Sequence, residues 1–554
     1  MGVILNPNGK NSFVSLAEAR TLRVFVDKTD FIEKTNNLIK AKDKFIAVTR
    51  PRRFGKTVTA EMLLTYYSKG YAGKNIFDGL KISNSESYAE HLSKYDVIYV
   101  DMNFISGLYK NYLDNGEDVQ NVKTLVNYLE YSVIRELRER AEFAECFEKH
   151  NIHKKNVGLL ESLTCLKNDL NAKFVFIMDE WDLIYRDCRD DAKLQEDFIE
   201  LLRGLFKSKG GQACFALAYL TGILPIKKYN SQSALNVFKE YNMLRPAPYE
   251  KYFGFTEEEV AEIVKSPICE LTHQELKEWY EGYKLGGVDI YNPNSVASAV
   301  SDGVCQSYWS GTSSNEEVIR LIDMNFDGIK DDILHLIEGR TVAFDCGTFQ
   351  NDMVSIENKD DALSLLVCLG YLGCADDGGN DRLAYVPNKE IRTALASMVK
   401  KQPWFNSMPI IERSEQLFDA ITSLDAEKTA EIITKIHNSP NVSLLGYNRE
   451  ETMVFCLVSG LMWRTEREYE CFRELQSGKG SADLVYVPKR NENLPILLIE
   501  FKYDRSAEEA MEQIKEKEYF ARYRDGGYPN DVILVGINYD RKNKTHQCLI
   551  ERFC

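Results

Sequence analysis

No two cysteines in this 554-residue sequence stand at C-x-x-C spacing. The 13 cysteines are scattered singly from Cys146 to Cys554. That pattern excludes a disulfide framework, offers no paired zinc-ligand spacing, and implies reduced thiols in a reducing compartment. Of the seven histidines, His150 and His153 stand three apart and the other five are dispersed. Long hydrophobic runs are missing too. The longest, "CFALAYLTGILPI", falls short of the roughly 18 residues that span a bilayer. The start, "MGVILNPNGKNS", turns polar too soon for a signal peptide. A cytoplasmic protein with no membrane partner is expected. Excess positive charge is also lacking: the net charge is −15. A protein that coats nucleic acid by bulk charge is thereby disfavoured, while a local basic groove stays open. Internal repeats and low-complexity tracts are absent from the sequence.

What is present is a globular composition, 44% hydrophobic and 28% charged, on a chain long enough for roughly three domains. Short apolar runs, "KFIAVT", "VIYVDMN", "FVFIMDE" and "CFALAYLTG", alternate with helical stretches such as "VKTLVNYLEYSVIRELRERAEF". Alternating strands and helices predict a parallel sheet covered on both faces. After about residue 260 the pattern becomes mainly helical. Within it, "DALSLLVCLGYLGCADDGGNDRLAYVPNKEIRTALASMV" reads as helix, strand, Gly-Gly turn, strand, helix. That order fits a small winged-helix-like unit or a linker subdomain. From about 440 a helix, "EETMVFCLVSGLMW", precedes strands "YECFREL", "ADLVYVP" and "PILLIEFKY". A charged helix, "AEEAMEQIKEKEYFARYR", and a last strand, "DVILVGINY", complete a compact α/β domain. The expected division is 1–265, 266–438 and 439–554.

"RPRRFGKT", residues 50–57, closes like the phosphate-binding loop G-x-x-x-x-G-K-[ST], but its first glycine position holds Arg50. Such a loop presents backbone N–H groups to phosphate at a helix N-terminus. Gly55 allows close approach, Lys56 brings charge to the β/γ phosphates, and Thr57 ligates Mg²⁺. The helix that must follow is legible, because Met62, Leu63, Tyr66 and Tyr67 fall at helical spacing. Arg50, Arg52 and Arg53 either add charge near the phosphates or face solvent. Arg53 joins Gly55, Lys56 and Thr57 in the candidate ATP-binding set. "FVFIMDEWD" ends an apolar strand in Asp179, placed to hold Mg²⁺ through water, and Glu180, placed to activate the attacking water. Thr221, closing the next apolar strand, is either a polar sensor of the γ-phosphate or a plain strand terminus.

Together, "FVDKTDFIEK", "RPRRFGKT", "FIMDEWD", "YFGFTEEEV" and "WYEGYKLGGVDIYNPNSV" resemble the bacterial AAA-ATPase-like family over about residues 10–300. An arginine at the loop's first position is common in that family. "TGILPIKK" departs from the family pattern after its Thr-Gly. The Trp, Tyr and Asn-Pro cluster at 279–295 is expected to be core and turn rather than ligand contact.

The C-terminal domain carries a second constellation. "SGKGSADLVYVP" puts Asp483 at a strand start, and "PILLIEFKY" puts Glu500 and Lys502 two apart, on one strand face. Two carboxylates and an amine converging there can bind Mg²⁺ and orient a water for phosphodiester attack. The bland alternative is an exposed strand face with an ion pair. Leu497, Ile499 and Phe501 alternate toward a core and leave Glu500 and Lys502 on the opposite phase. The stretch resembles the PD-(D/E)XK nucleases over 450–525, with Gly478, Gly480 and Asp483 matching and Ser481 standing where arginine is common. The resemblance implies that Asp483 and Glu500 hold the metal, Mg²⁺ or Mn²⁺, and that Lys502 polarises the water. It also implies that Glu450 or Glu451 is the accessory acid, Glu451 being carried as the candidate, and that Gln513 supports the site. Residues 480–554 hold 12 Lys plus Arg against 13 Asp plus Glu, so Lys515, Arg522 and Arg524 are expected to pair with their own helix's acids rather than grip DNA.

The reading is a cytoplasmic bacterial protein, open to homo-oligomerisation, with ATP-controlled, Mg²⁺-dependent cleavage of nucleic acid, chiefly DNA. Defence and mobile-element biology are the natural settings. The alternative is a nucleotide-switched module whose nuclease-like domain binds nucleic acid or protein without cutting.

Overall fold

The apolar runs pair into an all-parallel sheet. In a computed structural model of the chain, its strands are β1 (Val3–Ile4), β2 (Phe45–Thr49), β3 (Asp96–Asp101), β4 (Phe174–Asp179), β5 (Phe215–Gly222) and β6 (Lys239–Tyr241). They lie in the order β1-β3-β4-β5-β2-β6, each pair parallel. Parallel strands need crossovers, and here helices supply them and cover both faces. Successive residues of one strand therefore feed different cores. Phe174, Phe176 and Met178 pack with Phe198, Leu202 and Phe206, whereas Val175 and Ile177 pack with Leu63, Tyr66 and Tyr67. Helix α1 (Lys56–Tyr67) follows β2 directly after its loop. This is the α/β class the alternating pattern implies.

The structure describes residues 2–5, 11–39, 41–115, 122–150, 152, 157–226, 228–229, 232–233, 235–309, 314–347, 349, 356, 358–376, 381–405, 408–438, 449–466, 468–477, 480–489, 494–521, 523 and 531–553. It forms two compact units. One comprises Met1–Val318 and Phe344–Ala394, the other Ile319–Ala343 and Leu395–Cys554. The stretch 266–438 contributes to both. Where mainly helix is expected after about 260, a three-stranded antiparallel sheet joins Tyr283–Leu285, Val288–Tyr291 and Phe255–Thr256. These strands are too short for their alternation to register in the sequence. Helix α2 (Pro293–Asp302) follows, capped by the Asn292 side chain with proline at its first position. Further on, helix Lys359–Leu369, strands Gly373–Asp376 and Asp381–Tyr385, and helix Lys389–Val399 reproduce the expected order. Its Gly-Gly turn lies outside the described residues.

In the second unit, α3 (Arg449–Thr465) precedes a five-stranded mixed sheet. Its strands are β7 (Tyr469–Ser477), β8 (Gly480–Pro488), β9 (Ile496–Tyr503), β10 (Val532–Asp540) and β11 (Thr545–Phe553), in sequential order. Only β9 and β10 run parallel within it, and α4 (Ala507–Glu516) is the crossover between them. Gly536 on β10 lets α4 lie close, since a Cβ there would meet the Ala507 carbonyl oxygen at 2.7 Å. The strand "DVILVGINY" is not the last, as expected, because β11 pairs along its whole length. At β11 exposed and buried residues alternate irregularly, so the period-two signal is lost. Among the described residues no helix is long and apolar enough to cross a membrane.

Arg50 belongs to the fold. Both readings weighed for it, charge at the phosphates or exposure to solvent, are corrected. Its side chain is fully buried, donates to the carbonyls of Thr49 at 2.8 Å and Tyr241 at 3.1 Å, and lies over the Phe253 ring. It thereby ties the end of β2 to β6. Burial lowers its pKa to about 10, so it stays charged at neutral pH. Arg50→Ala should lower the unfolding free energy by about 2–4 kcal/mol in urea titrations, yet spare nucleotide affinity far more than Lys56→Ala does. Normal stability with lost ATP affinity would place Arg50 on the phosphates instead.

Candidate functional site

Gly55 is the pivot of the loop. Its φ of +82° is strained for any side chain, although a Cβ would meet nothing within 4 Å. Conformation, not space, requires glycine here. With Gly55 as N-cap, α1 opens on Lys56 and Thr57. Lys56 is 4% exposed, and its Nζ donates to the Pro51 carbonyl at 3.0 Å. Burial lowers its pKa against the pull of Glu180, Asp179 and Asp182. In β-sheet order, β5 separates β2 from β4, whose last residue is Asp179, in register with Asp101 at the end of β3.

Asp179 is 1% exposed and hydrogen-bonded to Thr57. Burial, then the charge of Glu180, raises its pKa to about 7. Loop residue Glu180 adopts a left-handed φ of +53° and is held by Arg186 at 2.5 Å. Burial pushes the Glu180 carboxyl up, but Lys56, Arg186 and Arg52 outweigh that and hold it below its ordinary value. Arg186 also meets Asp182 at 3.2 Å, and Asp182 accepts the N–H groups of Ile223 and Leu224. Asp182 and Arg186 were not singled out in the sequence, although their i,i+4 spacing in "DEWDLIYRD" is legible.

Of the other loop arginines, Arg52 is half-buried and feels both Arg186 and Glu180. Arg53, also left-handed, donates to the Tyr308 carbonyl. The Thr221 hydroxyl donates to the Val48 carbonyl at 2.9 Å, an interaction that suits a strand terminus.

A cavity of about 430 Å³ begins at this loop. Gly55, Lys56, Thr57 and Glu180 line it together with Val24, Phe25, Tyr252, Phe255, Pro293 and Ala297. Backbone N–H groups and a buried lysine, in a cavity with much apolar lining, suit a nucleotide's phosphates and base. Within the 279–295 cluster, Asn292 and Pro293 open α2 as turn residues and Tyr280, Tyr283 and Tyr291 are core, while Pro293 and Asn294 also line the cavity.

The second unit assembles its own site at the C-terminal end of β9. Asp483 of β8 accepts the Phe501 N–H at 2.7 Å. Glu500 is 2% exposed and accepts Lys502 Nζ at 3.0 Å. Gln513, on α4, receives the same ammonium at 2.7 Å, donates to Glu500, and reaches the Tyr519 hydroxyl at 3.0 Å. Glu500, Lys502 and Gln513 are thus brought together, with Asp483 beside them. Tyr519 was missed, and its sequence neighbourhood carries no signal for it. A side chain at Gly480 would press on the Tyr519 ring at 3.2 Å.

The strand is not exposed on one face. Leu497 and Ile499 enter one core while Ile496 and Leu498 enter another, so the alternation sorts two buried faces. Burial, then the Asp483 charge, raises the Glu500 pKa to about 7, with Lys502 opposing. Its second oxygen, Oε2, is buried without a hydrogen-bond partner among the described residues. An acceptor of this kind beside a second carboxylate fits a divalent cation of the Mg²⁺ class. Glu451 is exposed in the first turn of α3. The side chain of Glu450 lies outside the described residues, as do Gly478, Arg522 and Arg524. Lys515 pairs with Glu551 of β11 rather than with its own helix's acids.

Such a loop, acid-tipped strand and cavity resemble those of P-loop ATPases, and the second cluster resembles those of metal-dependent nucleases. Residues 7–230 match the AAA-ATPase-like family, described as predicted AAA-ATPase, and residues 450–548 match the PD-(D/E)XK nuclease superfamily. The chain therefore joins an AAA-ATPase-like segment to a PD-(D/E)XK nuclease superfamily segment. It is 20% identical over 553 residues, 97% of each chain, to an Azotobacter chroococcum mcd 1 protein described as "Uncharacterized protein in vnfD 5'region". A solved Aeropyrum pernix ORC2 protein, in ADPNP-ADP complexes, aligns over 67% of this chain and 93% of its own. That match has 13% identity and a TM-score of 0.28, too loose to define a shared fold.

Filling the cavity from its apolar lining tests its assignment. Ala297→Trp should abolish ATP and adenosine binding in calorimetry, while pyrophosphate still binds at the loop. Unchanged ATP affinity would move the base elsewhere.

Proposed function

We propose that this chain is an ATP-binding and ATP-hydrolysing protein whose C-terminal domain cleaves phosphodiester bonds, in DNA above other nucleic acids, under nucleotide control. The observation that carries the reading is Glu500: a buried carboxylate with one oxygen unpartnered among the described residues, flanked by Asp483, Lys502 and Gln513. A neutral packing role would favour an apolar residue there, since burying a carboxylate costs several kcal/mol.

At the first site, Lys56 and the N–H groups of α1 bind the β/γ phosphates, Thr57 and Asp179 hold Mg²⁺, and Glu180 takes the proton of the attacking water once Arg186 releases it. At the second, Asp483 and Glu500 hold Mg²⁺ or Mn²⁺. Lys502 orients the water and the scissile phosphate, and Gln513 fixes the Lys502 ammonium. A cation bound there supplies Lewis acidity at the phosphoryl group. Residues 1–265 serve as ATPase core, 266–438 as middle region and 439–554 as nuclease. Glu451 is retained as accessory acid, and Arg53 and Thr221 as secondary contacts to nucleotide.

The test is cleavage of plasmid, linear duplex and single-stranded DNA, with RNA alongside. Assays contain Mg²⁺ or Mn²⁺, with and without ATP. Cleavage is expected to vanish in Asp483→Ala and Lys502→Met and to change its ATP response in Lys56→Ala. ATP hydrolysis without cleavage of any substrate would favour the nucleotide-switched binding module.

A further inference from the structure

A third cluster, sharing no residue with either site, falls in the AAA-ATPase-like segment. Helix Ala141–Lys149, with His150 as its C-cap, packs against helix Leu159–Leu170. Cys146 and His150 stand four apart on the first, and Cys165 and Asp169 four apart on the second. Residues at i and i+4 share a helix face. The two pairs thus form a Cys-x-x-x-His and a Cys-x-x-x-Asp that the missing C-x-x-C spacing gave no reason to seek. Cys146 Sγ, a His150 ring nitrogen and an Asp169 carboxylate oxygen all lie within 4.8 Å of one another. His150 Nε2 is already 3.0 Å from Asp169 Oδ2.

We propose that Cys146, His150 and Asp169 form a binding site for Zn²⁺ that clamps these two helices together. A thiolate, an imidazole and a carboxylate make a donor set of borderline softness, which selects Zn²⁺ over Mg²⁺. The fourth corner of a tetrahedral Zn²⁺ site would be left for water. Loading replaces the Cys146 S–H bond by an S–Zn bond, and the proton leaves to solvent. It also replaces the His150–Asp169 hydrogen bond by two metal bonds. The Lys149 ammonium, 2.9 Å from Asp169, must move aside; its side chain is 66% exposed, and an exposed ion pair of this kind resists little. Burial, then the Asp169 charge, raises the Cys146 thiol to about 11.

The experiment uses the full chain, stripped with chelator and then held in excess Mg²⁺ so that the phosphate and nuclease sites do not compete. Co²⁺ is titrated in as the spectroscopic stand-in and then displaced with Zn²⁺. Wild type should show a thiolate-to-cobalt charge-transfer band at one equivalent, bleached by Zn²⁺. Cys146→Ser should lack the band. His150→Ala alters a half-exposed side chain, so it tests the site without opening the core, and should weaken Zn²⁺ by more than about tenfold. ATP affinity should be unchanged in both variants. Absence of the band in wild type, its persistence in Cys146→Ser, or full Zn²⁺ affinity in His150→Ala would overturn the proposal.

Discussion

A carboxylate taken out of water must find a cation, donors or a proton, and this chain meets that constraint at both of its sites. Asp179 and Glu500 are 1% and 2% exposed, and each is pushed up to about 7 by burial and a neighbouring acid. Each has a lysine nearby, Lys56 in one case and Lys502 in the other. Each stands at or near the C-terminal end of a strand with a parallel neighbour, where open α/β sheets place ligands. The parallel arises on two differently built sheets, so it reflects the shared constraint of a buried carboxylate rather than shared topology.

The scaffolding around these acids explains residues that otherwise look out of place. Arg50 stands where a loop glycine is usual because it works behind the loop, joining β2 to β6 through two carbonyls. Gly55 supplies the left-handed turn. In the other unit, Gly536 lets α4 approach the sheet and Gly480 leaves room for the Tyr519 ring, so Gln513 reaches both Glu500 and Lys502. Arg186 holds Glu180 and Asp182 together.

Much of this was legible in the sequence, for identifiable reasons. Strand, glycine loop and helix at 44–67 are local features, and local propensity together with period-two and period-3.6 patterns reports them well. Asp179–Glu180 and Glu500-x-Lys502 are also local. Less legible were features set by distant packing. The apolar lining of the cavity draws on Phe25, Tyr252 and Pro293, which no spacing connects, so Pro293 read as turn chemistry. Arg50 read as phosphate-facing or solvent-facing because a buried arginine without a carboxylate partner is rare. The strand β11 was missed because its burial alternates irregularly. Tyr519 enters its site only through a turn after α4, and the Cys146–His150–Asp169 cluster only through the packing of two helices.

The central claim is that two buried acidic sites on one chain are built for divalent cations. Counting bound Mn²⁺ by electron paramagnetic resonance, with and without a non-hydrolysable ATP analogue, tests it most directly. The account predicts one Mn²⁺ per chain without nucleotide, lost in Asp483→Ala. A second should appear with the analogue and be lost in Lys56→Ala. Mn²⁺ binding that is absent, or indifferent to both substitutions, would contradict it.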